Sequence, residues 1–190
     1  DRGAEVFARG SDEMCFADGT LRPHWQSFGR VLQGFSPADL DARRETVQRL
    51  LRDHGVTYNV YGDATGFTRP WSLDLLPVII AAEDYRIISE GLKQRARLFN
   101  LILADVYGQQ RLLKEGWIPP AVLHANPGFI RAIRGVMPHD GKFLVVSGAD
   151  LVRLADGSWV VLSDRTQSPS GKGYSLENRI IMTNVFADEF

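Results

Sequence analysis

Between positions 164 and 179 the chain reads DRTQSPSGKGYSLENR. Acids, amides, arginines and a glycine-flanked lysine crowd into one short stretch. Such a mixture suits a phosphate-cradling loop, a metal site, or a plain polar link between a strand and a helix. The familiar phosphate loop needs Gly, four residues, then Gly-Lys-Ser/Thr. Here Gly171-Lys172 is followed by Gly173, and Thr166 holds the place of the first glycine. A nucleophile elbow is excluded as well, because Ser170 is flanked at the required positions by Ser168 and Lys172. There is no HExxH, and His24, His54, His124 and His139 are widely separated. Cys15 has no histidine partner nearby and reads as an ordinary packed or surface thiol.

The carboxylates are the better lead. Asp150 opens the apolar run DLVRLA, Asp164 closes the run SWVVLS, and Asp156-Gly157 between them is a hairpin turn signal. At opposite ends of a tight antiparallel hairpin, the two carboxylates are expected to converge. Hard oxygen ligands of this kind suit Mg²⁺, which takes one or two protein carboxylates and fills its shell with water and substrate phosphates. Lys172 and the backbone N–H groups of Gly171 and Gly173 would then hold phosphate oxygens. The bland alternative is that both acids simply end strands, where Asp is a good turn residue. At this level both readings stand.

The elements that must position these residues follow from periodicity. Residues 1–35 read as an irregular segment with a short helix near Trp25 to Leu32. Ser36 caps a helix with Pro37 in its first turn and Gly55 after its end, and Leu40, Val47, Leu50 and Leu51 form its apolar stripe. VTYNVYGD (56–63) alternates like a strand. The longest helix runs from about Glu83 to Tyr107 on a stripe of Tyr85, Ile88, Leu92, Ala96, Phe99, Leu103 and Val106. QQRLLKEG and the residues after Pro119-Pro120 are shorter helical pieces. From residue 142 the period changes: FLVVS, DLVRLA and SWVVLS read as β runs. SLENRIIMTNVF reads as a helix burying Ile180, Ile181, Val185 and Phe186. The expected class is α+β: a mainly helical part over 36–141, then a hairpin and helix over 142–190.

Bulk composition narrows the partners. Net charge is −1, so no general field attracts nucleic acid or an anionic membrane. The longest apolar runs are too short to span a bilayer. The single cysteine permits no internal disulfide and fits a reducing, cytoplasmic setting. The chain lacks an initiator Met and stops inside an apparent helix, so it reads as a piece of a longer protein, truncated at 190. Exposed apolar surface is expected where a missing part would pack, which leaves a homo-oligomer open.

GADLVRLADGSWVVLSDRTQSPSG resembles the metal-binding hairpin of ATP-grasp ligases, in which an Asp precedes a hairpin and a Glu-x-Asn follows it into a Pro-Gly turn. Asp150 matches the first acid, Asp164 stands at the Glu, and Thr166 or Gln167 stands at the Asn. In the order TYNVYGD, RPWSLD, GLKQRARLFNLILADVYG, LLKEGWIPP and DRTQSPSGKGYSLENR, most of the chain is similar to the N-terminal half of the bacterial circularly permuted ATP-grasp family. That family is similar to glutathionylspermidine-synthase-type peptide ligases. The resemblance implies ATP- and Mg²⁺-dependent joining of a small-molecule or peptide carboxylate to an amine through an acyl-phosphate. It implies Mg²⁺ on Asp150 and Asp164, with Gln167, Glu177 or Asn178 completing or supporting the shell. Arg165, Lys172 and Arg179 would face phosphates or the substrate carboxylate, and a C-terminal nucleotide-binding lobe would lie beyond Phe190. The alternative is a non-catalytic binding or scaffolding module that retains the fold. Asn59 and Asp63 are further polar candidates for a pocket. Of Gln94, Arg95 and Arg97 on the long helix, Gln94 and Arg95 lie near the apolar stripe, so one of those two could reach a cleft, a solvated arginine being the plainer reading.

Overall fold

A computed structural model describes residues 12–59, 68–154 and 156–187. The described chain is α+β: helices with two separate two-stranded antiparallel sheets. It divides into two compact units, one from Asp1–Ala81 with Ser170–Phe190 and one from Ala82–Pro169.

In the first unit, a 3-10 turn at Pro23–Trp25 leads into α1 (Gln26–Gln33), and α2 spans Pro37–Asp53. Ser36 and Asp39 form a reciprocal capping box at the start of α2, satisfying two otherwise orphan N–H groups. Strand β1 (Thr57–Asn59) pairs with β2 (Thr68–Pro70). The expected strand continues into residues 60–63, which lie outside the described residues. Helix α6 (Lys172–Val185) follows the polar loop. It packs on α2. Ile181, Val185 and Phe186 join Trp25, Phe28, Val47, Leu51 and Leu75 in one apolar core. Ile180 was expected inside with them but is exposed, because it lies one helical step, about 100°, from Ile181. Grouping this helix with the hairpin over 142–190 is also corrected. Its apolar face needs a partner, and the stripe of α2 supplies it.

The second unit is organised by α3 (Ala82–Tyr107), a 26-residue helix about 39 Å long. Short helices α4 (Arg111–Lys114) and α5 (Pro120–His124) follow. Asp105 near the end of α3 accepts the N–H groups of Arg111 and Leu112 at 2.9 and 3.0 Å and so starts α4. Buried Tyr107 stacks on Phe129 and Phe143. Tyr85 is exposed rather than part of the inward stripe.

FLVVS forms no strand. Asn100 of α3 takes its first two N–H groups instead. The Asn100 Oδ1 accepts from the N–H groups of Phe143 (2.8 Å) and Leu144 (3.2 Å), and its Nδ2 donates to the Gly141 carbonyl. With those groups bound to a helix side chain, no ladder is needed. Strands β3 (Gly148–Arg153) and β4 (Trp159–Arg165) form the expected hairpin. Gly157 takes a φ of 87° at its turn, and Asp156 Oδ1 accepts the Ser158 N–H at 2.9 Å.

Ile181 is fully buried between α6 and α2. Ile181→Ala is expected to cost roughly 2–5 kcal/mol through lost burial plus a cavity. Exposed Ile180→Ala is expected to stay within about 0.5 kcal/mol. Urea denaturation of both variants checks the contrast, and equal losses would contradict the assigned faces.

Candidate functional site

The hairpin decides where its acids point. Near the turn, Arg153 pairs with Trp159, Val152 with Val160 and Leu151 with Val161. Between Asp150 and Leu151 the register shifts, leaving Leu162 as an extra residue in β4. Beyond this bulge Asp150 lies opposite Ser163, Ala149 opposite Asp164 and Gly148 opposite Arg165. Side chains directly opposite share a face, and successive ones alternate. Asp150, Ser163 and Arg165 therefore stand on one face, and Ala149 and Asp164 on the other.

The hydrogen bonds agree. On the outer face, Arg165 Nε donates to both oxygens of Asp150 at 3.1 and 3.0 Å, and its Nη2 donates to Oδ2 at 2.8 Å. The Ser163 hydroxyl also donates to Asp150 Oδ2. On the inner face, Asp164 meets α3, where Arg95 Nε donates to its Oδ1 at 3.1 Å and Arg95 Nη2 to its Oδ2. Arg153, near the turn, pairs with Asp84 of the same helix at 3.4 Å. Hydrogen bonding from Arg165, then from Ser163, holds the Asp150 carboxyl below the usual carboxylate range. The Arg95 guanidinium does the same for Asp164.

The expected convergence of Asp150 and Asp164 is thus corrected. Without the bulge, Asp150 and Asp164 would share a face as diagonal neighbours. One extra residue turns them to opposite faces. The same register moves the Glu-x-Asn comparison: the two positions that face Asp150 are Ser163 and Arg165, not Asp164 and Thr166. Gln167 also does not join the acids. It lines a cavity of about 290 Å³ with Thr166, Asn126, Tyr107 and Phe129.

Gly171, Lys172, Gly173, Glu177, Asn178 and Arg179 belong to the first unit. Glu177 Oε1 meets His54 Nδ1 of the residue that ends α2. Asn178 Oδ1 accepts the Trp71 indole N–H at 2.9 Å. Trp71 also stacks on Tyr174, whose hydroxyl donates to the Thr57 carbonyl at 2.7 Å. Glu177 and Asn178 therefore tie α6 to α2 and to the β1–β2 region. Lys172 and Arg179 are exposed and make no hydrogen bond or ion pair among the described residues. Gly171 caps α6 with a φ of 101° and no side-chain bond to the first turn. Asn59 ends β1, and Asp63 lies outside the described residues.

These residues do not fit a divalent ion on the hairpin. Each acid is held in a fork by an arginine, and among the described residues neither strand face carries a second carboxylate of its own. Among the described residues no three His, Cys, Asp or Glu side chains gather as a metal group. Ser163 and His54 are the participants that sequence reasoning missed. Ser163 could not be found without the bulge. Arg95 was only one of two helix residues placed near a cleft, yet its signal was sharp: it falls three after Leu92 and four before Phe99, on the inward stripe itself.

The chain belongs to the circularly permuted ATP-grasp type 2 family, whose model matches residues 77–190. An uncharacterised protein of Synechocystis is 38% identical over 179 residues, covering 94% of this chain and 37% of that protein. An uncharacterised protein of Mycobacterium tuberculosis is 37% identical over 187 residues, covering 94% of this chain and 21% of its own length. A Frankia casuarinae protein provisionally named glutamate–cysteine ligase 2-2 is 36% identical over 179 residues, covering 94% and 20%. The chain thus spans well under half the length of these relatives. No helix among the described residues is long and apolar enough to cross a membrane.

A carboxylate whose folded pKa is depressed adds stability above its unfolded value of about 3.9, and that stability is lost as pH falls through the folded value. For Asp164 the loss is therefore expected below pH ~4. Arg95→Gln is expected to raise the Asp164 pKa toward ~3.9, read from carboxyl ¹³C shifts during an NMR titration. An unchanged Asp164 titration would remove Arg95 as the cause.

Proposed function

We propose that the protein carrying this chain is an ATP-dependent carboxylate–amine ligase working through an acyl-phosphate. Membership of residues 77–190 in the circularly permuted ATP-grasp type 2 family carries this reading. The name of the Frankia relative, glutamate–cysteine ligase, describes joining of the same kind. In the first step a substrate carboxylate oxygen attacks the γ-phosphorus of ATP, and ADP leaves. In the second an amine attacks the acyl carbon, phosphate leaves, and the amine loses a proton to give the amide. Both steps develop negative charge on oxygens, which positioned cations and N–H donors stabilise. The proposed donors are Lys172 and Arg179 with the backbone N–H groups around Gly171 and Gly173. The uncapped first turn of α6 supports such donors, since free N–H groups at a helix start favour anions. Mg²⁺ enters no step here, because the hairpin residues do not fit it.

The nucleotide-binding lobe is proposed to lie outside this chain, in keeping with the share of each relative that the chain spans. One observation favours a second reading, a binding or scaffolding module without turnover. Both hairpin acids are occupied by arginines rather than gathered for catalysis.

Assay of ADP release with ATP and paired carboxylate and amine substrates separates the two. The full-length protein is expected to release ADP only with both substrates, and residues 1–190 alone are expected to release none. ATP binding by calorimetry without ADP release under any substrate pair would favour the scaffolding module.

A further inference from the structure

We infer that Arg165 is the built-in cation of the Asp150 face, standing where a divalent ion would have to bind. The inference rests on the hairpin geometry and holds whether or not the protein is a ligase. Four hydrogen bonds reach the Asp150 carboxylate, one to Oδ1 and three to Oδ2. A carboxylate offers about four lone-pair sites, so its acceptor capacity is largely spent inside the protein.

The charge count points the same way. Asp150 and Arg165 together are neutral, and Ser163 adds only a neutral hydroxyl. A divalent ion displacing the guanidinium would find a single carboxylate and release an arginine beside itself. Mg²⁺ dehydrates reluctantly and binds through carboxylates together with substrate phosphates. Asp164 gives no help, because its side chain is on the opposite face and is forked to Arg95.

Arginine is suited to the substitution. Its guanidinium is always charged, and its planar fork matches both carboxylate oxygens at once. Position 165 lies two residues beyond Ser163 on the same strand, so alternation delivers it to the Asp150 face. Two side chains in β4, a serine and an arginine, thus stand where oxygen ligands would be needed to complete a metal site with Asp150.

Mn²⁺ titration of the full-length protein, followed by the electron paramagnetic resonance signal of the free ion, tests this. In the otherwise unaltered protein, Asp150→Asn is expected to leave the number of bound Mn²⁺ ions unchanged. The double variant Ser163→Glu/Arg165→Asn is expected to gain one ion per chain, and adding Asp150→Asn is expected to remove it. Loss of a bound ion on Asp150→Asn in the otherwise unaltered protein would overturn the inference. So would a folded double variant that gains none. Circular dichroism establishes folding, and where the double variant is unfolded the single Asp150→Asn comparison decides. Because the readout is ion binding, its failure is distinct from failure of the ligase reading, which is read as ADP release.

Discussion

The site depends on one extra residue in a strand. Leu162 has no partner in β3, and the pairing on its two sides differs by one position. A bulge of this kind costs a local break in the ladder and reverses which face every later side chain occupies. Below it, Trp159 and Val161 lie opposite Arg153 and Leu151. Above it, the outer face takes Asp150, Ser163 and Arg165. Were Leu162 instead paired in register opposite Asp150, Asp164 would move to the face of Asp150, and Arg95 would lose its acid. The two ion pairs are therefore products of one backbone irregularity.

That irregularity works because α3 is ready for it. Its inward stripe is not wholly apolar. Asp84 takes Arg153, Arg95 takes Asp164, and Asn100 takes the backbone of residues 141–144. Polar groups turned inward are costly unless partnered, and partnered ones demand a particular register. A shifted hairpin would leave several of them unmatched at once. Apolar contacts tolerate sliding far better than a fork of two directed N–H bonds. The helix thus fixes the hairpin by direction as well as by burial.

Much of this was legible in the sequence where the signal is local. The capped helix starting at Ser36, the long helix ending at Tyr107 and the Asp156-Gly157 hairpin all follow from caps, periodicity and turn chemistry. So does the burial of Ile181, Val185 and Phe186. What failed depends on non-local pairing. FLVVS has the composition of a strand, but a side chain of α3 takes the N–H groups of Phe143 and Leu144. Glu177 and Asn178 look like ligands, but His54 and Trp71, more than a hundred positions away in the chain, claim them. The bulge carries no composition signal at all: WVVLS reads the same with or without a register shift. Residues near an acid in sequence are a poor guide to residues near it in space when parity is undetermined.

The two arginine–aspartate pairs look alike and differ in consequence. Asp164 is 21% exposed and Arg95 less than half. Removing Arg95 would leave a carboxylate partly withdrawn from water against a helix. Asp150 and Arg165 are 43% and 64% exposed, so water competes for both. An exposed pair of this kind contributes little to stability, even with good fork geometry. Its main physical effect is on recognition. It neutralises the acid, uses its acceptor sites and occupies that face with a fixed, net-neutral pair. The inner pair serves the fold, and the outer pair sets what the hairpin can bind.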